Sequence, residues 1–228
     1  MSRTHVLHIP KTGGSALLSA LAPHADAAGL VLHDHFARLA DVPHGERVVF
    51  AVRDPAERFV SGFNSRLRKG MPRNYFEWTP VLREGFDRFP TANSLAEAIS
   101  DSDSARRRQA MLLIGNVFHI GTPLSYWLGS VEYLESRTAD VLLVLRQARL
   151  NDDFERLKSM LGIPSAVRLP IDPVGAHATP PGYETDLSVL ARANLAAWYA
   201  GDYACYEAAL KAGALAASRN AATATKPR

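Results

Sequence analysis

The sequence predicts an α/β protein with an open, mainly parallel central sheet flanked by helices. Three observations carry this. Short apolar, β-branched runs alternate with amphipathic stretches from the N-terminal region onward, the pattern of βαβ units with right-handed crossovers. Two of these runs end in strand-to-helix chemistry: His5–Ile9 leads through Lys11, Gly13 and Gly14 into Ser15, and Arg47–Val52 leads through Arg53 and Asp54 into Pro55. Glycines permit the tight turn at the first junction, and proline suits the first helical position at the second. Finally, 228 residues with 47% hydrophobic and 21% charged side chains fit one folded domain able to bury a sizeable core.

Taken in chain order, strands are expected near 5–9, 30–33, 47–52 and 141–146. Helices are expected near 15–22, 35–41, 55–67, 94–100, 104–114, 123–136, 151–161, 186–200 and 203–217. The stretch 68–93 sets Gly70, Pro72, Pro80, Gly85 and Pro90 among aromatics and reads as a long irregular segment; loops of that length are often functional. A second Pro- and Gly-rich excursion falls at 164–182. A single domain is expected over 1–217, and the small, polar, basic residues 218–228 are expected to form a disordered tail.

The stretch His8-Ile-Pro-Lys-Thr-Gly-Gly-Ser-Ala-Leu17 is the most informative. Strand, glycine loop and helix start together make an anion cradle, with loop amides and the helix dipole aimed at the ligand and Lys11 adding a full charge. A nucleoside triphosphatase loop needs Gly-Lys-Ser or Gly-Lys-Thr, with the hydroxyl on magnesium. Here Lys11 precedes Gly13, Gly14 and Ser15, and neither tripeptide occurs in the chain. The loop therefore suits a phosphate without an obligatory metal. At the second junction Arg53 ends a strand, and Ser61 lies on the helix that follows, three residues after Arg58. In a parallel sheet these would face the crevice at the carboxyl edge, so that two sites grip two separated phosphates of one ligand.

Together these residues resemble the sulfotransferase superfamily, whose members use 3′-phosphoadenosine 5′-phosphosulfate as sulfuryl donor. Pro-Lys-Thr-Gly-Gly-Ser at 10–15 resembles the family's 5′-phosphosulfate loop, and Val-Arg-Asp-Pro-Ala-Glu-Arg-Phe-Val-Ser-Gly-Phe at 52–63 resembles its 3′-phosphate motif. The resemblance implies a P-loop-NTPase-like sulfotransferase fold. It implies that Lys11, Thr12, Gly13, Gly14 and Ser15 hold the 5′-phosphosulfate, and that Arg53 and Ser61 hold the 3′-phosphate. These motifs occupy the first quarter of the chain. Weaker similarity to the carbohydrate-type branch runs on to Leu195–Tyr206. The expected reaction is in-line transfer of a sulfuryl group to a hydroxyl of a carbohydrate or small metabolite, leaving 3′-phosphoadenosine 5′-phosphate. A small-molecule kinase with an atypical loop and a non-catalytic nucleotide-sensing module are the alternatives.

An acceptor hydroxyl needs a base within hydrogen-bond reach. His33-Asp34-His35 sits at the end of the second expected strand, and either His33 or His35 is expected to be that base, with Glu77 or Glu84 next in line. The alternative for the pair is that one histidine caps the following helix while the other packs on the sheet. No third ligand stands at metal-site spacing, so no metal is expected.

Other features read as structural. Arg106-Arg107-Arg108 reads as a solvated helix face, and Arg68-Lys69-Gly70 as an exposed turn. Trp198 reads as core, while Trp78, Trp127, Tyr126 and Tyr75-Phe76-Glu77-Trp78 remain open as stacking walls. Arg146 either reaches the nucleotide or pairs with Asp152 or Asp153. A net charge of +3 does not indicate nucleic-acid binding. The lone Cys205 allows no internal disulfide, and no apolar run is long enough to span a bilayer. With the first strand almost at the start of the sequence, a free, cytoplasmic form is expected.

Overall fold

Four parallel strands form one sheet in the order β2-β1-β3-β4. The computed structural model describes residues 3–172 and 179–224. The strands are β1 (Thr4–Leu7), β2 (Leu30–Leu32), β3 (Arg47–Val52) and β4 (Val141–Arg146). The helices, in chain order, are α1 (Gly14–Leu21), α2 (Pro55–Leu67), α3 (Pro80–Arg88), α4 (Ala92–Glu97), α5 (Ser104–Asn116), α6 (Phe118–Gly121), α7 (Ser125–Leu128), α8 (Val131–Ser136), α9 (Leu150–Leu161), α10 (Val189–Trp198) and α11 (Ala200–Ala224). Among the described residues no helix is long and apolar enough to cross a membrane.

The expected single domain divides into two compact units. The first comprises 1–53, 124–171 and 204–228, and the second 54–123 and 172–203. In the first, both sheet faces are covered, which suits strands whose centres are apolar on both sides, as in Val48–Val52 and Val141–Leu145. Alternation along the strands sends Val6, Val49, Ala51, Leu143 and Leu145 to one face, against Ala16, Leu17 and Leu21 of α1 and Phe154 and Leu157 of α9. Leu7, Val48, Phe50 and Val144 go to the other face, against Trp127, Leu134 and the small residues Cys205, Ala209, Ala212 and Ala216 of α11. Gly213 lies so near Val144 that a Cβ there would sit 2.9 Å from the valine Cβ.

The second unit is helical, with Phe59, Phe63, Phe86, Phe89, Leu95 and Leu113 at its centre. Asp54 caps α2 by accepting from the Ala56 and Glu57 amides, with Pro55 behind it in the first turn. Arg58 does not face solvent. It is buried against Asp202 at 3.5 Å and donates to the Thr122 carbonyl at 3.0 Å, and burial lowers its proton affinity.

Several expectations need correction. The helix expected at 35–41 shrinks to the 3-10 turn Leu39–Asp41, because the Asp34 side chain takes the Phe36 and Ala37 amides and holds an Asx-type turn instead. The helix expected at 123–136 is cut into α7 and α8 by Gly129, at φ +79, and by Ser130, which caps α8. The irregular segment contains α3, started by Thr79 as cap and Pro80 at the first position. The helix expected over 203–217 runs on to Ala224, so residues 218–224 of the expected tail are helical and 225–228 lie outside the described residues. In the excursion at 164–182, residues 173–178 also lie outside them.

Candidate functional site

The strand order reverses beside β1: the chain passes from β1 to β2 on one side, then to β3 on the other. In open parallel sheets the crevice beyond the carboxyl ends of two such diverging strands is where ligands bind. The residues that follow β1 and β3 here are the Lys11–Ser15 loop and Arg53.

The loop is built by backbone conformation. Lys11 has φ +68 and Gly13 φ +93, the left-handed geometry from which anion-binding nests are made. For lysine that conformation is strained, and such strain persists only where the surroundings impose it. Gly13 opens α1 without a side-chain cap, and no acidic residue stands in the first turn, so no carboxylate of that turn competes for that end of the dipole. Gly14 is required by its neighbour, because a Cβ there would overlap the His8 ring. The buried Thr12 hydroxyl donates to the Ile9 carbonyl at 2.9 Å, so Thr12 fastens the loop to the end of its strand. Arg53 donates to the Lys11 carbonyl at 3.5 Å.

His8, not singled out from sequence, joins the loop to the residues after β2. Its Nε2 lies 3.4 Å from Ser15 Oγ, and its ring is 3.8 Å from that of His35, centroid to centroid. His35 Nδ1 meets the His8 carbonyl at 3.1 Å, and Trp127 Nε1 donates to the His35 carbonyl at 2.7 Å. Because a carbonyl only accepts, His35 Nδ1 carries the proton in this contact. His33 turns the other way along the sheet. Its Nε2 lies 2.8 Å from Nδ1 of buried His5, whose Nε2 is hydrogen-bonded to Glu46. Burial, then the neighbouring His5, lowers the proton affinity of His33 despite Asp34 and Asp41 nearby.

The structure thus brings Lys11, Thr12, Gly13, Gly14, Ser15, Arg53 and His35 into one connected set within the first unit, with His33 beside it on the next residue but one. Ser61 belongs to the second unit, half-buried on α2. Neither reserve base has the character of one. The Glu77 carboxyl is held down at about 2 by Lys69 at 2.6 Å, then by Tyr75 and the Trp78 amide, and Glu84 is exposed on α3 in the second unit.

Other side chains are spoken for. Trp127 is fully buried and offers no stacking face, whereas Trp198, expected in the core, is 42% exposed. Trp78 donates to the Arg66 carbonyl and leans on Phe86. Arg146 forks onto Asp153 at 3.1 and 3.2 Å. In the arginine run, Arg106 pairs with Asp101, Arg107 donates to the Asp101 carbonyl and Arg108 to Ser104. Arg68, read as part of an exposed turn, is only 8% exposed, with two guanidinium nitrogens that have no hydrogen-bond partner among the described residues. Among the described residues no group of three or more His, Cys, Asp or Glu is placed to hold a metal. Comparison with family models, curated proteins and solved structures found no match to this chain.

Proposed function

We propose that the chain is a sulfotransferase on a P-loop-NTPase-like fold, moving a sulfuryl group from 3′-phosphoadenosine 5′-phosphosulfate to a hydroxyl of a carbohydrate or small metabolite. The observation that carries this is the pairing of a left-handed, uncapped Lys11–Ser15 loop with Arg53 at the reversal of strand order. A bisphosphate ester suits these residues: the start of α1 has no side-chain cap and no acidic residue in its first turn, and Lys11 and Arg53 carry positive charge in the same connected loop.

In this reading Lys11, the loop amides and Ser15 hold the 5′-phosphosulfate, while Arg53 holds the 3′-phosphate. The donor supplies an activated sulfuryl group on a phosphate leaving group. Lys11 and the fixed amides stabilise negative charge growing between sulfur and that phosphate, and they do so without reorganising because the loop is pinned by Thr12 and Arg53. An imidazole after β2, His33 or His35, takes the acceptor proton. His8 holds His35 in place through its ring and its carbonyl.

Isothermal calorimetry tests the donor site. Binding of 3′-phosphoadenosine 5′-phosphate that is unaffected by magnesium and at least about tenfold tighter than that of ATP, a difference of 1.4 kcal/mol, supports the proposal. Magnesium-dependent ATP binding in its place supports the kinase. Bisphosphate binding with no turnover over a broad acceptor panel supports the sensing module.

A further inference from the structure

Glu46, His5 and His33 come from three separate stretches of chain and meet on one face of the sheet. The registers explain how. Arg47 pairs with Thr4, and the Arg47 amide donates to the Arg3 carbonyl, which sets Glu46 level with residue 3 of β1. Leu32 pairs with Val6, and the His33 amide donates to the Val6 carbonyl, which sets His33 level with residue 7. Levels 3, 5 and 7 share a face at a period of two. The three side chains form a diagonal row across three adjacent strands, from the amino edge of the sheet to its carboxyl edge.

We infer that this row is a proton relay, and that it presents Nδ1 of His33 as the atom that takes the acceptor-hydroxyl proton; the substrate part of this rests on the sulfotransferase reading. The tautomers follow from elementary donor and acceptor rules. Glu46, as a carboxylate, only accepts, so Nε2 of His5 carries a proton. A neutral His5 then has a bare Nδ1, which accepts from Nε2–H of His33 at 2.8 Å. A neutral His33 is left with a bare Nδ1, and among the described residues that atom makes no hydrogen bond. The His5 and His33 rings lie nearly parallel, 20° apart with centroids at 5.1 Å, so neither ring flips without breaking the row. His5 is 6% exposed, which makes an unbonded ring nitrogen there costly. The lowered proton affinity of His33 keeps it neutral near pH 7, ready to accept. The groups that bear on its charge are His5 along the row and Asp34 and Asp41 on its own segment, while Glu46 meets the row through His5.

The step balances. The acceptor O–H bond breaks and its proton goes to His33 Nδ1; the oxygen keeps the electron pair and bonds to sulfur, while the bond from sulfur to the donor phosphate breaks and its pair leaves on the bisphosphate. The Nε2 proton of His33 passes to His5 Nδ1, and the Nε2 proton of His5 passes to Glu46. The side chain of Glu46 is 31% exposed and returns the proton to water. Glu46 and His5 are positioning residues in this scheme, and His33 alone touches the acceptor.

Ring-nitrogen NMR on the full chain at pH 8, joined to pH–rate profiles of wild type, Glu46→Gln and His33→Gln, tests the relay. Protons are expected on Nε2 and not Nδ1 of both His5 and His33. In Glu46→Gln the His33 titration and the rising limb of the rate profile should both move to lower pH, because a carboxylate that favours the protonated row is lost. Its kcat should fall by roughly two orders of magnitude or more, as when an imidazole loses the carboxylate that fixes its tautomer, with bisphosphate affinity unchanged. A proton on Nδ1 of His33, or a His33 titration unmoved in Glu46→Gln, overturns the relay whether or not sulfuryl transfer occurs. The expected tautomers and shift, with no transfer by the wild type, overturn the substrate reading and leave the relay.

Discussion

Arg53, at the carboxyl end of β3, donates to the main-chain carbonyl of Lys11 in the loop after β1, 3.5 Å away. One contact thereby joins the two strand ends that border the reversal of strand order. It gives Arg53 two tasks, a charge for the ligand and a brace for a loop whose lysine is held in the left-handed region.

Arg53→Ala should therefore weaken 3′-phosphoadenosine 5′-phosphate binding more than 5′-AMP binding. Loss of a charge-assisted contact to the 3′-phosphate is worth on the order of 2 kcal/mol, and the loosened loop should add a smaller loss common to both nucleotides. Calorimetry with the two ligands separates the terms. Equal losses for both would leave Arg53 as a brace alone.

Gly14→Ala should cost both stability and ligand binding. The added methyl group collides with the His8 ring, and forcing a methyl into packed space costs about 1–3 kcal/mol. His8 also supports His35, so the disturbance should reach the residues after β2. Thermal unfolding and bisphosphate titration read the two effects. An unchanged melting temperature with intact binding contradicts the packing described.

Much of this was readable in advance, for identifiable reasons. The two strand-to-helix junctions carry their own local chemistry, Gly13-Gly14 and Arg53-Asp54-Pro55, and the elements around them lie close to where periodicity sets them. Thr79-Pro80 is a legible helix start, masked by the glycine and proline density of its segment. The helix expected at 35–41 failed because Asp34 diverts two amides into a turn, a competition that periodicity does not register. The roles of His8, His5 and Glu46 were not legible: Glu46 meets His5 across 41 positions, and only strand order and register bring them together. Arg68 and Trp198 went astray because composition says nothing about which side of a helix a later segment covers.

Acid should destabilise the protein partly through His33. Burial and His5 hold its proton affinity below that of an isolated imidazole, at 6.5, so the unfolded chain binds that proton more readily. The stabilisation is complete above pH 6.5 and is lost as the pH falls through the lower folded value. Melting temperatures measured across this range should show a flatter acid limb in His33→Gln than in the wild type. Identical limbs would contradict a neutral His33 in the fold.

Arg137 should prove a keystone of the first unit. It is fully buried, donates to the carbonyls of Leu39, Val42 and Pro43 and to the Tyr133 hydroxyl, and pairs with Asp140 at 2.6 Å. Arg137→Met strands these acceptors and should cost about 3–5 kcal/mol in chemical denaturation. A loss below about 1 kcal/mol, the usual value of an exposed pair, would contradict the buried network.

Lys11 tests the central claim most directly. Sulfuryl transfer from labelled 3′-phosphoadenosine 5′-phosphosulfate to a panel of mono- and disaccharides is measured for wild type and Lys11→Ala, alongside calorimetric titration of both with the bisphosphate product. A lysine aimed at the transferring group acts mostly in the transition state. The wild type should transfer label to at least one hydroxyl, and Lys11→Ala should lose roughly 10²–10³ in kcat while bisphosphate affinity stays within about tenfold. Near-normal turnover in Lys11→Ala, or a wild type that binds the bisphosphate yet transfers label to no acceptor, would contradict it.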